Sequence, residues 1–134
     1  MTNKTLAIIK PDAVKRNLIG KIISIIEEND FVVSQIKSYH LNAVEAETFY
    51  EIHKGKPFFE TLIDYMTSGK IIVLLLHKNN AVSQFRKLIG NTNPELADSG
   101  TIRKLYAVNQ TQNSIHGSDS DINANVEILS LIHI

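Results

Sequence analysis

The sequence has no cysteine, and it has no long hydrophobic run. Without cysteine the chain forms no disulfide, holds no metal through thiolates and has no cysteine nucleophile. Only four apolar residues lie between residues 1–5 and Lys10-Pro11, which is far short of a signal-peptide core or a membrane span. These absences predict a cytoplasmic protein with no membrane partner.

Charge of one sign is not in excess either, because 14 lysines and arginines balance 14 aspartates and glutamates. A balanced chain has no overall field that attracts DNA, RNA or an anionic membrane, so we expect no nucleic-acid partner. Any bound anion must be held by a few local charges. The length of 134 residues and the hydrophobic fraction of 43% predict one domain, residues 1–134, with one core.

Hydrophobic patterning predicts alternating strands and helices. Apolar runs at 5–9 and 71–76 indicate strands buried on both faces, and the β-rich segment 31–41 indicates a strand with one wetter face. Helical periodicity covers residues from 19 to near 29, and 43–54 with 58–66 indicate a helical hairpin. A further helix covers residues 81–89, and a last helix is organised by Ile122, Val126 and Leu129. Residues 90–121 are polar and rich in turn residues, with a short final strand near His116.

This element order predicts an α+β fold, a ferredoxin-like split β-α-β sandwich with a four-stranded antiparallel sheet. We expect helices to cover this sheet on one face. Such a fold hosts many functions, so the chemistry must be inferred from the residues of a site.

The most informative stretch is residues 113–120, which places His116 among small polar residues. Gly117 permits close approach of a ligand or backbone, and Ser118 and Asp119 suit a turn or a helix start. A histidine in this setting is poorly placed for a core. The other histidines lack such a setting and are expected to be surface or structural residues: His40, His53, His77 and His133.

The usual nucleotide motifs are missing. No glycine completes a P-loop, and no G-x-G-x-x-G dinucleotide fingerprint occurs. Phosphates would therefore need side-chain cations, for which Lys10, Arg86 and Arg103 are candidates. Guanidinium groups suit this task because they present a planar, bidentate donor fork to phosphate oxygens.

Seven short motifs together resemble the nucleoside diphosphate kinase family, in its order and spacing and over nearly the whole chain, most closely its short bacterial members. They are Lys10-Pro11-Asp12, Tyr50, Lys56-Pro57-Phe58-Phe59, Met66-Thr67-Ser68-Gly69, Gly90-Asn91-Thr92-Asn93-Pro94, Gly100-Thr101-Ile102-Arg103 and Asn113-x-x-His116-Gly117-Ser118-Asp119-Ser120.

The resemblance implies a reversible ping-pong reaction. A nucleoside triphosphate, mainly ATP, donates its γ-phosphate to a histidine, and a nucleoside diphosphate then takes the phosphate from the phosphohistidine. Histidine suits this role because an unperturbed pKa of about 6.5 leaves the ring mostly neutral at pH 7.

Site roles follow from the same resemblance. His116 would be the nucleophile, Glu127 would bind its other ring nitrogen, Ser118 would support that carboxylate, and Tyr50 would pack and hydrogen-bond beside this centre. The sugar and phosphates would be held by the remaining polar set: Lys10, Asn113, Arg86, Thr92 and Arg103. Mg²⁺ would bridge two phosphates, with Asp119 as a contact through water.

Phe58 would stack on the base, and stacking accepts every base because each has a π-face. Residues 109–112 depart from the family because they are polar where some members place a small apolar residue against the base. Gln110 and its neighbours therefore leave the base contacts open.

The resemblance also implies a homo-oligomer, either a tetramer or a hexamer built from dimers. Two other functions remain open. A nucleotide-sensing domain would keep Arg86, Arg103 and Phe58 but would need no nucleophile. A histidine phosphocarrier would need His116 but no base-stacking residue.

Overall fold

A four-stranded antiparallel sheet forms the centre of the molecule in the computed structural model, which describes residues 3–132. Its strands are β1 (Lys4–Ile9), β2 (Val32–Tyr39), β3 (Ile71–His77) and β4 (Ile115–Gly117). They lie in the order β2-β3-β1-β4, so the first strand is central and its neighbours are distant in sequence. This is the predicted ferredoxin-like arrangement. His133 lies outside the described residues.

Seven α-helices join and cover these strands in the described part of the chain. They are α1 (Pro11–Lys15), α2 (Ile19–Glu28), α3 (Ala43–Phe49), α4 (Phe59–Met66), α5 (Ala81–Ile89), α6 (Ile102–Tyr106) and α7 (Asp121–Leu131), with 3₁₀ turns at Glu51–His53 and Pro94–Leu96. None of the helices in residues 3–132 is both long and apolar enough to cross a membrane.

Helices pack on both faces of the sheet, so the expectation of cover on one face is wrong. Side chains of β1 alternate between the faces: Ala7 and Ile9 pack with α2 and α5, whereas Leu6 and Ile8 pack with α3, α4 and α7. The sheet thus divides the core into two hydrophobic clusters. Strands β1 and β3 are apolar at nearly every position because both of their faces are buried.

The last helix is confirmed, but its predicted organising face is reversed. Ile122, Val126 and Leu129 are exposed, whereas Ala124, Ile128 and Leu131 are buried. Helix α7 carries apolar residues on two sides, so periodicity alone identifies the helix without selecting the side that packs. This packing of α7 places Glu127, which precedes the buried Ile128, beside the sheet.

The short helices α1 and α6 were not predicted, and both position polar residues near β4. Lys10 lies where β1 ends and α1 begins, and its backbone N–H donates to the Ser114 carbonyl at 2.9 Å. Helix α6 is capped by Thr101, whose hydroxyl accepts from the Lys104 N–H, and it carries Arg103. The end of β1, α6 and β4 therefore converge at one edge of the sheet.

Candidate active site

His116 lies in the middle of β4, directly opposite Ile8 of the central strand β1. Its Nε2 is 2.9 Å from Glu127 Oε1, and the Ser118 hydroxyl donates to the same oxygen at 2.7 Å. The Ser118 hydroxyl in turn accepts from the Leu6 N–H, so its proton is directed toward Glu127. With Nε2–H donating to the carboxylate, Nδ1 carries the lone pair of the neutral ring.

Glu127 reaches His116 because α7 begins soon after β4. Ser120 caps this helix by accepting from the Asn123 N–H at 3.1 Å, and Glu127 follows about two turns later. Behind the histidine, a Cβ on Gly117 would stand 2.8 Å from the Phe85 ring. The backbone of β4 thus packs directly on α5, and only glycine fits there.

A cavity of about 690 Å³ opens in front of His116. This volume suits a small-molecule ligand. All predicted site residues except Ser118 line it: His116, Glu127, Lys10, Tyr50, Phe58, Arg86, Thr92, Arg103, Asn113 and Asp119. Ser118 is buried behind Glu127 and contacts the site through that carboxylate.

Lys10 is buried, and its Nζ donates to Asn113 Oδ1 at 2.8 Å. Burial and, to a smaller extent, the Arg103 charge lower the pKa of Lys10 to about 7, although the Asp12 charge acts in the opposite direction. An anion bound beside this ammonium would favour its charged form and raise that pKa.

Arg103 is a second buried cation of the cavity wall. Its two terminal nitrogens donate to the carbonyls of Gly90 and Ile115 at 2.9 and 2.8 Å, while Nε has no hydrogen-bond partner among the described residues. Burial and the nearby Arg86 lower the pKa of Arg103 to about 10. Arg103 thus lies near enough to Lys10 and Arg86 for their positive charges to repel, and a bound polyphosphate would relieve this repulsion.

Tyr50 is buried at the cavity, and its hydroxyl lacks a hydrogen-bond partner within residues 3–132. Burial and the Glu127 charge raise its pKa, so the hydroxyl stays protonated and is a potential donor. The Tyr50 ring packs edge-on against the Phe49 ring, with 4.9 Å between the ring centroids, and the Phe49 ring lies edge-on to His116, with 5.3 Å between the centroids. Phe49 also lines the cavity, although no motif of the sequence indicates it.

Phe58 is 45% exposed, so one face of its ring is available to a ligand. The centroids of the His53 and Phe58 rings are 5.4 Å apart, and Lys56 Nζ lies 5.9 Å from the centroid of the Phe58 ring. His53, which was expected to be a surface or structural residue, lines the cavity between Phe58 and Tyr50. Gln110 also lines the cavity.

No cluster of three or more metal-binding side chains occurs among residues 3–132. Asp119 lines the cavity together with Glu51 and Glu127, and its Oδ1 accepts from Asn123 Nδ2 at 2.6 Å. The cations of the wall, Lys10, Arg86 and Arg103, suit phosphates. This residue set fits a divalent ion carried by the phosphates of a nucleotide.

Comparisons with known proteins identify one family. A sequence model of the family described as nucleoside diphosphate kinase matches residues 3–133. The nucleoside diphosphate kinase of Lawsonia intracellularis is 54% identical over 124 residues, which are 92% of this chain and 90% of that protein. A second relative of that name, from Histophilus somni strain 129Pt, is 58% identical over 125 residues, covering 93% of this chain and 89% of the relative.

Solved structures give the same result. The nucleoside diphosphate kinase of Aquifex aeolicus has a TM-score of 0.94 at 32% identity, covering 96% of this chain and 94% of that one. The enzyme of Encephalitozoon cuniculi has a TM-score of 0.95 at 40% identity, covering 98% and 89%. The chain therefore belongs to the nucleoside diphosphate kinase family.

Proposed function

We propose that this enzyme transfers the γ-phosphate of a nucleoside triphosphate to a nucleoside diphosphate through a phosphohistidine at His116. One observation supports this most: Nε2 of His116 is held by Glu127 at 2.9 Å, while the ring lines a cavity that also contains Lys10, Arg86 and Arg103. The neutral ring then presents Nδ1 as the nucleophile.

Glu127 supports the attack by its charge. As Nδ1 bonds to phosphorus, positive charge develops on the ring, and the Nε2–H bond to the carboxylate strengthens. The β–γ anhydride bond breaks, and the nucleoside diphosphate leaves with the electron pair of that bond. A second nucleoside diphosphate then attacks the phosphohistidine with its terminal phosphate oxygen and restores the neutral ring.

The cations position the phosphates and balance their charge. Arg86, Thr92 and Arg103 would bind the phosphate chain, and Lys10 with Asn113 would hold the sugar hydroxyl and the phosphate next to His116. The Tyr50 hydroxyl, which has no hydrogen-bond partner in the described part of the chain, would donate beside the same centre. Such positioning and charge stabilisation account for most of the catalysis of phosphoryl transfer.

Mg²⁺ would enter with the nucleotide. It would help to neutralise the charge of the leaving group, and Asp119, which lines the cavity, would contact it through water.

Broad nucleotide specificity follows from a base site that rests on Phe58. Stacking on one half-exposed ring distinguishes bases poorly, and sugar and phosphate contacts are shared by all nucleotides. The substrates are metabolites of the cytoplasm, where we propose that the enzyme works.

We also propose a homo-oligomer, a tetramer or hexamer built from dimers. Strand β2 is an edge strand of eight residues that exposes Val32 and Ile36 by 63% and 61%. Unpaired edges with apolar side chains are features that a second subunit would cover. Light scattering after size exclusion would give the number of subunits, and a monomer at micromolar concentration would contradict the proposal.

Labelling with γ-³²P ATP alone tests the covalent step. The protein should retain an acid-labile, alkali-stable phosphate and release it when any nucleoside diphosphate is added. His116→Ala should retain none, while His40→Ala, a control at an exposed histidine outside the cavity, should label normally. No label on the unmodified enzyme, or label on His116→Ala, would contradict the proposed mechanism.

A further inference from the structure

Asp12 is a buried carboxylate to which the family resemblance assigned no role. Its Oδ1 accepts from the Ser114 N–H at 3.2 Å and from the Tyr65 hydroxyl. Its Oδ2 accepts from the Ser114 hydroxyl and from Arg16 Nη2, both at 2.8 Å. The Asp12 carboxylate therefore accepts four hydrogen bonds from its neighbours. Asp12, Arg16, Tyr65 and Ser114 are called the Asp12 cluster below.

The Asp12 cluster joins four elements that are far apart in sequence. Asp12 lies in the first turn of α1, Tyr65 belongs to α4, and Ser114 immediately precedes β4. Arg16 extends the connection, because its Nη2 also donates to the carbonyl of Tyr106, the last residue of α6, at 2.6 Å. The cluster therefore fixes the helix that carries Arg103 relative to the strand that carries the nucleophile.

Ser114 is the residue that most needs this support. Its φ is +71°, in the left-handed region that disfavours residues other than glycine, and its side chain is fully buried. Asp12 binds both its N–H and its hydroxyl, while its carbonyl accepts from the Lys10 N–H. Asn113 directly precedes it, and His116 is two residues further along.

We propose that Asp12 is a positioning residue for phosphoryl transfer, which holds Ser114 in its left-handed conformation and so places Asn113, Lys10 and His116 for reaction. This inference rests on the roles proposed above for those three residues. Asp12 acts through its neighbours, since it does not line the cavity.

Asp12 has a second, electrostatic effect on the same centre. Burial lowers the pKa of Lys10 most, and the charge of Arg103 on α6 lowers it as well. The charge of Asp12 on α1 acts in the opposite direction and raises that pKa. Removal of the Asp12 charge should therefore lower the pKa of Lys10 further. A purely structural role would not produce that change.

The test measures kcat/KM against pH for Asp12→Asn. Asparagine has nearly the same shape, but its NH₂ would face a donor and its charge is lost. We expect kcat/KM to fall on the order of 10- to 100-fold, as small misplacements of reacting groups do. The alkaline limb of the profile, which reports free-enzyme groups, should move to lower pH. Tyr65→Phe keeps the charge but removes the two hydrogen bonds of the Tyr65 hydroxyl, to Asp12 Oδ1 and from the Asp12 N–H. It should lower kcat/KM by about two- to fivefold without moving the limb.

Ser114→Gly identifies the route of the effect. Glycine adopts a positive φ without support, so a chain with glycine at this position depends less on Asp12. In the double variant with Asp12→Asn, we expect the two losses to be clearly less than multiplicative. Tyr39→Phe is the matched control, because it removes another tyrosine-to-carboxylate bond, to Glu45, outside the cavity; it should leave kcat/KM unchanged.

The inference is overturned if Asp12→Asn keeps kcat/KM within twofold, if its alkaline limb does not move, or if the two losses multiply. Should Asp12→Asn fail to fold, Tyr65→Phe decides, since an unchanged kcat/KM for that variant also overturns the inference. Labelling of the unmodified enzyme by γ-³²P ATP separates the two proposals. No label at His116 refutes the proposed mechanism, whereas normal labelling of both the unmodified enzyme and Asp12→Asn, at equal rates, refutes only the role of Asp12.

Discussion

In Glu127→Gln, the His116 ring keeps a hydrogen-bond partner but loses the negative charge beside it. Both bonds to this carboxylate, from His116 Nε2 and from the Ser118 hydroxyl, end on the same oxygen, Oε1. A glutamine amide oxygen has two lone pairs and can accept both. The substitution therefore preserves the geometry and removes the charge.

The size of the effect follows from the difference between charged and neutral hydrogen bonds. A bond to an ionised group contributes about 1.5–3 kcal/mol and a neutral one about 1 kcal/mol. The two side chains are 17% and 16% exposed, which leaves water partly able to screen the charge. We therefore expect a loss of about 1–2 kcal/mol, or roughly 5- to 30-fold in the rate of phosphorylation.

This loss should appear in the chemical step, because the ring becomes positively charged only as Nδ1 bonds to phosphorus. Rapid mixing with saturating Mg²⁺–ATP measures the rate at which the phosphoenzyme forms. Calorimetry measures the affinity for ADP, which should change by less than about twofold because Glu127 forms no proposed contact with the nucleotide. Glu47→Gln, at an exposed position of α3, is the control and should change neither quantity.

Two results would refute the reasoning on Glu127. An unchanged rate of phosphorylation would remove Glu127 from the mechanism. An equal loss of rate and of ADP affinity would identify Glu127 as a nucleotide contact instead of a partner of His116.

Three further predictions concern the cavity and its support. The pKa of Lys10 is about 7 in the free protein, and a bound polyphosphate should raise it. Nucleotide binding at pH 8 should therefore take up nearly one proton, which is measured from the dependence of the binding enthalpy on the buffer. Binding without proton uptake would contradict this prediction. Phe58→Ala should weaken the binding of every nucleoside diphosphate by about 1 kcal/mol, roughly fivefold, since the ring is half-exposed; calorimetry with purine and pyrimidine diphosphates checks this, and a loss confined to one base would contradict base-independent stacking. Gly117→Ala should lower the free energy of unfolding in urea by about 1–3 kcal/mol, because the added Cβ clashes with Phe85. Gly20→Ala, which lies in open space on α2, should raise that free energy by about 0.5–1 kcal/mol. Equal effects of the two substitutions would contradict the close packing at Gly117.

The strands and longer helices were predictable because their residues carry strong periodic or continuous apolar patterns. The runs at β1 and β3 are buried on both faces, so almost every position is apolar. Helices α1 and α6 have only five residues each, too few for a period to show. In α7 the two apolar sides compete, and only the packing against β1 decides that Ile128 lies inward and Val126 outward.

Most of the cavity residues were inferred from the family's motifs, and the fold supplies what those motifs do not contain. The bond between Lys10 and Asn113 joins residues 103 positions apart, and the bonds between Asp12 and Ser114 span 102 positions. Such contacts leave no local periodicity, so patterns along the chain do not reveal them. The family motif includes Asp12, but only its four donors, brought together by the fold, suggest what it does.

In the proposed mechanism, His116 is phosphorylated on Nδ1 because Glu127 holds Nε2. ³¹P–¹⁵N correlation spectra of the ¹⁵N-histidine-labelled enzyme, phosphorylated with Mg²⁺–ATP, test it most directly, with His116→Ala to assign the signal. We predict one phosphohistidine, at His116, with phosphorus coupled to Nδ1. Phosphorus on Nε2, or on another residue, would contradict the account.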